Sequence, residues 1–165
     1  MSEPAGRAPS TYEELAEHMA SGVVIYVATR DRDLAPESMF AMGARAECER
    51  RVVTVYLPAL PALCRTTLRN IEDNGLVAVT LTRPSDHKSV QVKGRALRVR
   101  EGNDADREIQ TIHRAALVEQ FAGIGVPRAT TRRLVWWPSV AVEIEVSEVF
   151  AQTPGPGSGA RIAEL

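Results

Sequence analysis

The apolar positions of this chain change period several times. Residues 23–30, VVIYVATR, are β-branched and apolar, and VVTVYLP (52–58) sets Val53, Val55 and Leu57 against Thr54 and Tyr56. LVAVTLTR (76–83) and SVQVKGRALRVRE (89–101) read as paired strands joined by the turn PSDHK. Towards the C-terminus, Val140, Val142, Ile144 and Val146 face one way while Glu143 and Glu145 face the other. The two-residue repeat of a strand produces each of these patterns. ESMFAMGARAE (37–47) carries the weakest strand signal of the six.

Helical spacing fills the intervals. Ser10 and Glu13 form a capping-box pattern that predicts a helix over 11–20, with Tyr12, Leu15 and Met19 on its apolar stripe and Gly22 to end it. In PALCRTTLRNIEDNG, Leu60, Cys64, Leu68 and Ile71 recur at helical spacing, Pro61 suits the first turn and Gly75 is a natural stop. NDADREIQTIHRAALVEQFAGIG predicts a second long helix capped by Asn103 or Asp104, and RATTRRLV a short one after Pro127. The order is helix, three strands, helix, two strands, helices, strand. Strands that come in runs favour an antiparallel sheet or barrel with flanking helices over a doubly wound parallel sheet. Six strands with few edges to spare favour closure.

These elements place one domain at residues 10–151. Residues 1–9 are expected to be a mobile N-terminus. The Pro/Gly-rich tail, 152–165, is expected to be mobile or to dock on a partner subunit. A chain of 165 residues with a formal charge of −1 and no block of like charge gives no support to nucleic-acid binding. Its apolar runs are too short to cross a bilayer. MSEPAGRAPS has neither the basic start nor the apolar core of a signal peptide, which points to the cytoplasm and to Cys48 and Cys64 as free thiols. Cys64 lies on an apolar stripe and belongs in the core. His18, His87 and His113 lie far apart without metal-ligand spacing; His87 precedes the polar strand, and His113 reads as a surface or interface residue. Trp136 and Trp137 suggest one core and one interface contact.

One stretch carries chemistry. The only two lysines, Lys88 and Lys93, stand against eighteen arginines, and both lie in PSDHKSVQVKGRALRVRE (84–101). Ser89, Gln91, Lys93 and Arg95 share one strand face, and the phase shifts after Gly94, as a bulge or a barrel corner requires. A row of hydroxyl, amide, ammonium and guanidinium suits a planar, hydrogen-bonding, partly anionic ligand. It equally suits a solvated outer face.

The run RPSDHKSVQVKGRA (83–96), the helix end IEDNG (71–75) and the late W-x-P followed by V-E-I (137–144) resemble the pyridoxamine 5′-phosphate oxidase-like family of FMN-binding split barrels. The similarity spans most of residues 10–150. It implies a mainly β fold with flanking helices, a six-stranded antiparallel split β-barrel. It also implies a homodimer with FMN sites at the subunit interface. By the same resemblance Arg65, Thr66 and Thr67 would grip the FMN phosphate, and Lys88, Ser89, Gln91 and Lys93 would line the ligand site. The vitamin B6 oxidases themselves carry a Trp where this chain has Glu145, followed by a basic motif where it has TPGPGSG, so the chain departs from them. The expected function is an FMN-dependent oxidoreductase acting on a small molecule. The second reading is a non-enzymatic split barrel that binds a flavin, haem or deazaflavin, or no cofactor, in a sensing, storage or scaffold role. No general acid or base need be invoked beside a flavin, the catalytic residues stay open, and no metal site is expected.

Overall fold

A computed structural model describes residues 11–162. Helix α1 (Tyr12–Ala20) leads into strands β1 (Val24–Arg30), β2 (Pro36–Ala41), β3 (Ala44–Glu47) and β4 (Val52–Pro58). Helix α2 (Pro61–Asn74) precedes β5 (Leu76–Thr82) and β6 (Ser89–Glu101). Helices α3 (Asp104–Gly123) and α4 (Arg128–Thr131) then lead to β7 (Ser139–Ala151) and a short β8 (Arg161–Ile162). All pairings are antiparallel, and the strands run in the order β2-β1-β5-β6-β7-β4-β3, with β8 added to β7.

The expected strand 37–47 is two strands. β2 pairs with β1 at one end of the sheet and β3 with β4 at the other, so a single bent segment joins the two ends. The bend lies at Met42–Gly43. Gly43 has φ 152°, and a Cβ there would stand 3.1 Å from Gln110 Cγ and 3.2 Å from the Tyr56 ring. The Met42 N–H donates to the Tyr56 carbonyl and the Tyr56 N–H to that of Gly43, so β4 holds the bend. The ladder between β2 and β3 stays open, and the result is a split barrel rather than a closed one.

The inward positions of the strands fill this barrel. Ile25 and Val27, Val53, Val55 and Leu57, Val77, Val79 and Leu81, Val90 and Val92, and Val142 and Ile144 are all at most 4 % exposed. Leu15 and Met19 of α1 and Cys64 and Ile71 of α2 close the core. The α1 cap is Thr11, whose hydroxyl accepts from the Glu14 N–H; the expected cap, Ser10, and the expected mobile segment 1–9 lie outside the described residues. A cap one residue later leaves the buried stripe unchanged. The αL Gly75 ends α2, and Asn103 caps α3 in a full capping box with Asp106.

Gly94 is the corner of β6. Its register against β7 slips between Lys93 and Gly94, and a Cβ on Gly94 would stand 1.9 Å from the Glu145 carbonyl oxygen. The extra residue at this slip is Ser147 of β7; a second slip, between Ala96 and Arg98, leaves Leu97 of β6 unpaired, and Leu97 is 52 % and Val99 45 % exposed. The tail folds back onto its own chain: the Gly159 N–H donates to the Ala151 carbonyl, and Ile162 pairs with Val149. His113, expected at the surface, is 4 % exposed. Both tryptophans are half-buried outside the core, their ring centres 6.4 Å apart, with the Arg107 guanidinium over each.

Candidate functional site

The seven candidate residues separate into two places on one chain. Arg65, Thr66 and Thr67 sit in the second turn of α2, where the amides are already committed to the helix, so only side chains remain to meet a ligand. Arg65 is exposed and Thr66 half-buried. Thr67 is fully buried, its hydroxyl without a hydrogen-bond partner, between Cys64 and Ile71 on the stripe that closes the core.

Arg65 lines a groove of about 740 Å³ between α2 and the outward half of β6. Arg69, one turn along, and Arg98 of β6 line it too. Leu68, Leu97 and Val99 supply apolar surface and Glu72 a carboxylate. Among the described residues, none of the three guanidiniums has a hydrogen-bond or ion-pair partner. Their charge is available to an anion, and the fork geometry suits a phosphate.

The second place is the outer face of the sheet. Strand register aligns Phe40, Tyr26, Thr80, Gln91 and Phe150 across five strands. Tyr26 is 42 % and Phe40 52 % exposed, with ring centres 4.5 Å apart. The Gln91 amide donates to Thr80 Oγ1 at 3.1 Å, leaving its carbonyl oxygen and second N–H for a partner. Lys93 places its ammonium 4.6 Å from the Phe150 ring centre. Ser89 is on the same face but buried: its hydroxyl donates within reach of Thr82 Oγ1 at 2.8 Å and the His87 carbonyl at 3.0 Å. Lys88 is half-buried in the β5–β6 turn, where its N–H donates to Asp86. That turn is held by a two-pronged Arg83–Asp86 pair, and the hydrogen bonds from Arg83 draw the Asp86 carboxyl down to about 2.

Single-strand reading found Gln91 and Lys93 but missed the aromatic row, because Tyr26, Phe40 and Phe150 meet them only through register across four other strands. Their signal was the aromatic at an outward position in otherwise apolar strands. Arg69 was legible as the residue four after Arg65 on the same helix face; Arg98 required the register slip that follows Ala96.

The comparisons with solved structures bear on the fold. An F420 reductase is 15 % identical, with 86 % of this chain and 98 % of that one covered and a TM-score of 0.52. The chain adopts the pyridoxamine 5′-phosphate oxidase-like split-barrel fold. A candidate pyridoxamine 5′-phosphate oxidase from Lactobacillus delbrueckii is 17 % identical over 82 % of this chain and 92 % of that one, at a TM-score of 0.50. An FMN-binding protein from Syntrophomonas wolfei is 10 % identical over 84 % and 86 %, also at 0.50. No protein-family model matches the sequence, and no curated protein does. At these identities the likeness is one of fold alone. No helix among the described residues is long and apolar enough to cross a membrane.

Proposed function

We propose that the chain binds FMN between two copies of itself and serves as a flavin-dependent oxidoreductase for a small molecule. The observation that carries this is the α2–β6 groove, in which three unpaired guanidiniums stand over exposed apolar side chains. A phosphate on a flat, largely apolar ring system fits that combination, and a split barrel is the fold that the FMN-binding protein above shares. Arg65, Arg69 and Arg98 would hold the phosphate. The free carbonyl and N–H of Gln91 and the ammonium of Lys93 match the donors and acceptors on the pyrimidine edge of a flavin. They lie apart from the groove on one chain, so a second copy set against the aromatic face would bring the two sets together. Bound flavin supplies the hydride acceptor; the protein positions the ring, neutralises the phosphate and keeps water off.

A deazaflavin of the F420 kind is the second reading, favoured by the fold likeness to an F420 reductase. It offers the same pairing of flat ring and phosphate to the same groove. The test is a titration of the purified protein with FMN, followed by absorbance at about 370 and 450 nm. Tight binding is expected, with Arg65→Ala, Arg69→Ala and Arg98→Ala each weakening it about ten- to a hundredfold, the range of a lost charge-assisted hydrogen bond. Absence of FMN binding together with tight F420 binding would select the deazaflavin. Binding of neither removes the cofactor reading.

A further inference from the structure

A second cavity, away from the α2–β6 groove, has a different character. It encloses about 400 Å³ between the start of β1, the end of β2, the β4–α2 junction, α3 and the segment after α4. That volume is at the small end of small-molecule sites, which run from roughly 300 to 1,000 Å³. Phe40, Leu63, Leu117, Phe121 and Leu134 contribute to a lining that is apolar throughout, with one exception. The exception is Arg133, an exposed guanidinium with no hydrogen-bond or ion-pair partner among the described residues.

One free cation beside an otherwise apolar cavity selects by charge and by shape. A neutral apolar molecule would bury its surface there but leave Arg133 unanswered. A cationic one would be repelled. A ligand with several charges would lose hydration that the lining cannot replace. An apolar body that ends in a single carboxylate satisfies both parts: its chain fills the cavity, and its head pairs with the two-pronged guanidinium.

We infer that this cavity is a binding site for an apolar monocarboxylate, with Arg133 as the residue that reads the head group. The inference does not rest on the flavin reading: the cavity shares no residue with the α2–β6 groove and only Phe40 with the aromatic face, and Arg133, which reads the head group, belongs to neither.

Decanoate serves as the probe and decanol as its neutral counterpart, titrated calorimetrically into protein free of flavin. Decanoate is expected to bind at least tenfold more tightly than decanol. Arg133→Ala should erase that preference and leave decanol binding intact, and Arg133→Lys should restore part of it. Leu63→Asp, at an exposed rim position, should weaken both probes while circular dichroism shows an unchanged fold. Equal affinity for the two probes, or a preference that survives Arg133→Ala, overturns the inference. So does light scattering in which Leu63→Asp converts a dimer to a monomer, because the cavity wall would then be a subunit contact.

Discussion

Lys93 holds its ammonium 4.6 Å from the centre of the Phe150 ring, across the β6–β7 pairing. Phe150 is half-buried and Lys93 exposed, so the contact lies on the outer face beside Gln91. An exposed cation–π contact contributes only about 0.5–1 kcal/mol. A cation posed over an aromatic edge of an open face has more to offer a ligand than to the fold.

Lys93→Ala is therefore expected to lower stability by less than about 1 kcal/mol in urea denaturation. The same substitution should weaken FMN binding about tenfold, and Gln91→Ala should do likewise. If both variants bind FMN as the parent does, the outer face is only a solvated surface.

Gly94 makes a sharper claim. A Cβ at 1.9 Å from the Glu145 oxygen meets backbone, which cannot swing aside as a flexible side chain would. Gly94→Ala should cost about 3 kcal/mol, the upper range for forced overpacking, and lower the melting temperature accordingly. A stability within about 0.5 kcal/mol of the parent would show that the β6–β7 contact at Gly94 relaxes at no cost.

The elements visible in the sequence were those with a sustained period. Val90 and Val92 face the core as their alternation predicts, and the shift at Gly94 is the bulge. The helix stripe of α2 was legible too, but its full membership was not used. Thr67 lies three after Cys64 and four before Ile71, which places it on the buried stripe of α2. The partners of Ser89 lie beyond its own strand. A strand's alternation gives the face of a side chain, whereas its cross-strand partner decides whether it is free. Thr82, opposite Ser89, takes up its hydroxyl. The split of residues 36–47 into β2 and β3 was hidden because both halves keep strand-like residues; only the packing of Gly43 against Tyr56 and Gln110 reveals the bend.

Arg100 pairs in two-pronged fashion with Asp106, which also accepts from the Asn103 N–H, while Glu143 accepts from Arg100 Nε at 3.3 Å. The Asp106 side chain is 3 % exposed. Burial pushes its carboxyl upward, but the bonds from Arg100 and Asn103 outweigh this and hold it below the ordinary 3.8. Asp106→Asn leaves the guanidinium short of its main counter-charge and is expected to cost about 3 kcal/mol by chemical denaturation. A loss of under about 1 kcal/mol would show that Glu143 compensates alone.

The buried histidines couple the stability of the fold to pH on the acid side. Burial drives both His18 and His113 below the ordinary 6.5; for His18, the Leu81 carbonyl opposes the shift and Lys88 and Arg83 add to it. An unfolded chain takes up protons at these rings near 6.5, and the folded chain resists them. Their contribution is thus fully present above about pH 6.5 and is lost as pH falls towards the depressed folded values. Each ring can add up to about 1.4 kcal/mol per pH unit to the slope of unfolding free energy in that window. Asp106 acts lower, since its contribution is present above the ordinary 3.8 and fades as pH falls through its depressed folded value. His113→Gln should lower stability at pH 7.5 yet flatten the slope between about pH 6.5 and 5, whereas Asp106→Asn should lower the whole curve above about pH 4 and flatten its fall below that pH. Urea titrations at a series of pH values read both effects, and a His113→Gln slope equal to the parent's would mean that the ring protonates freely in the folded chain.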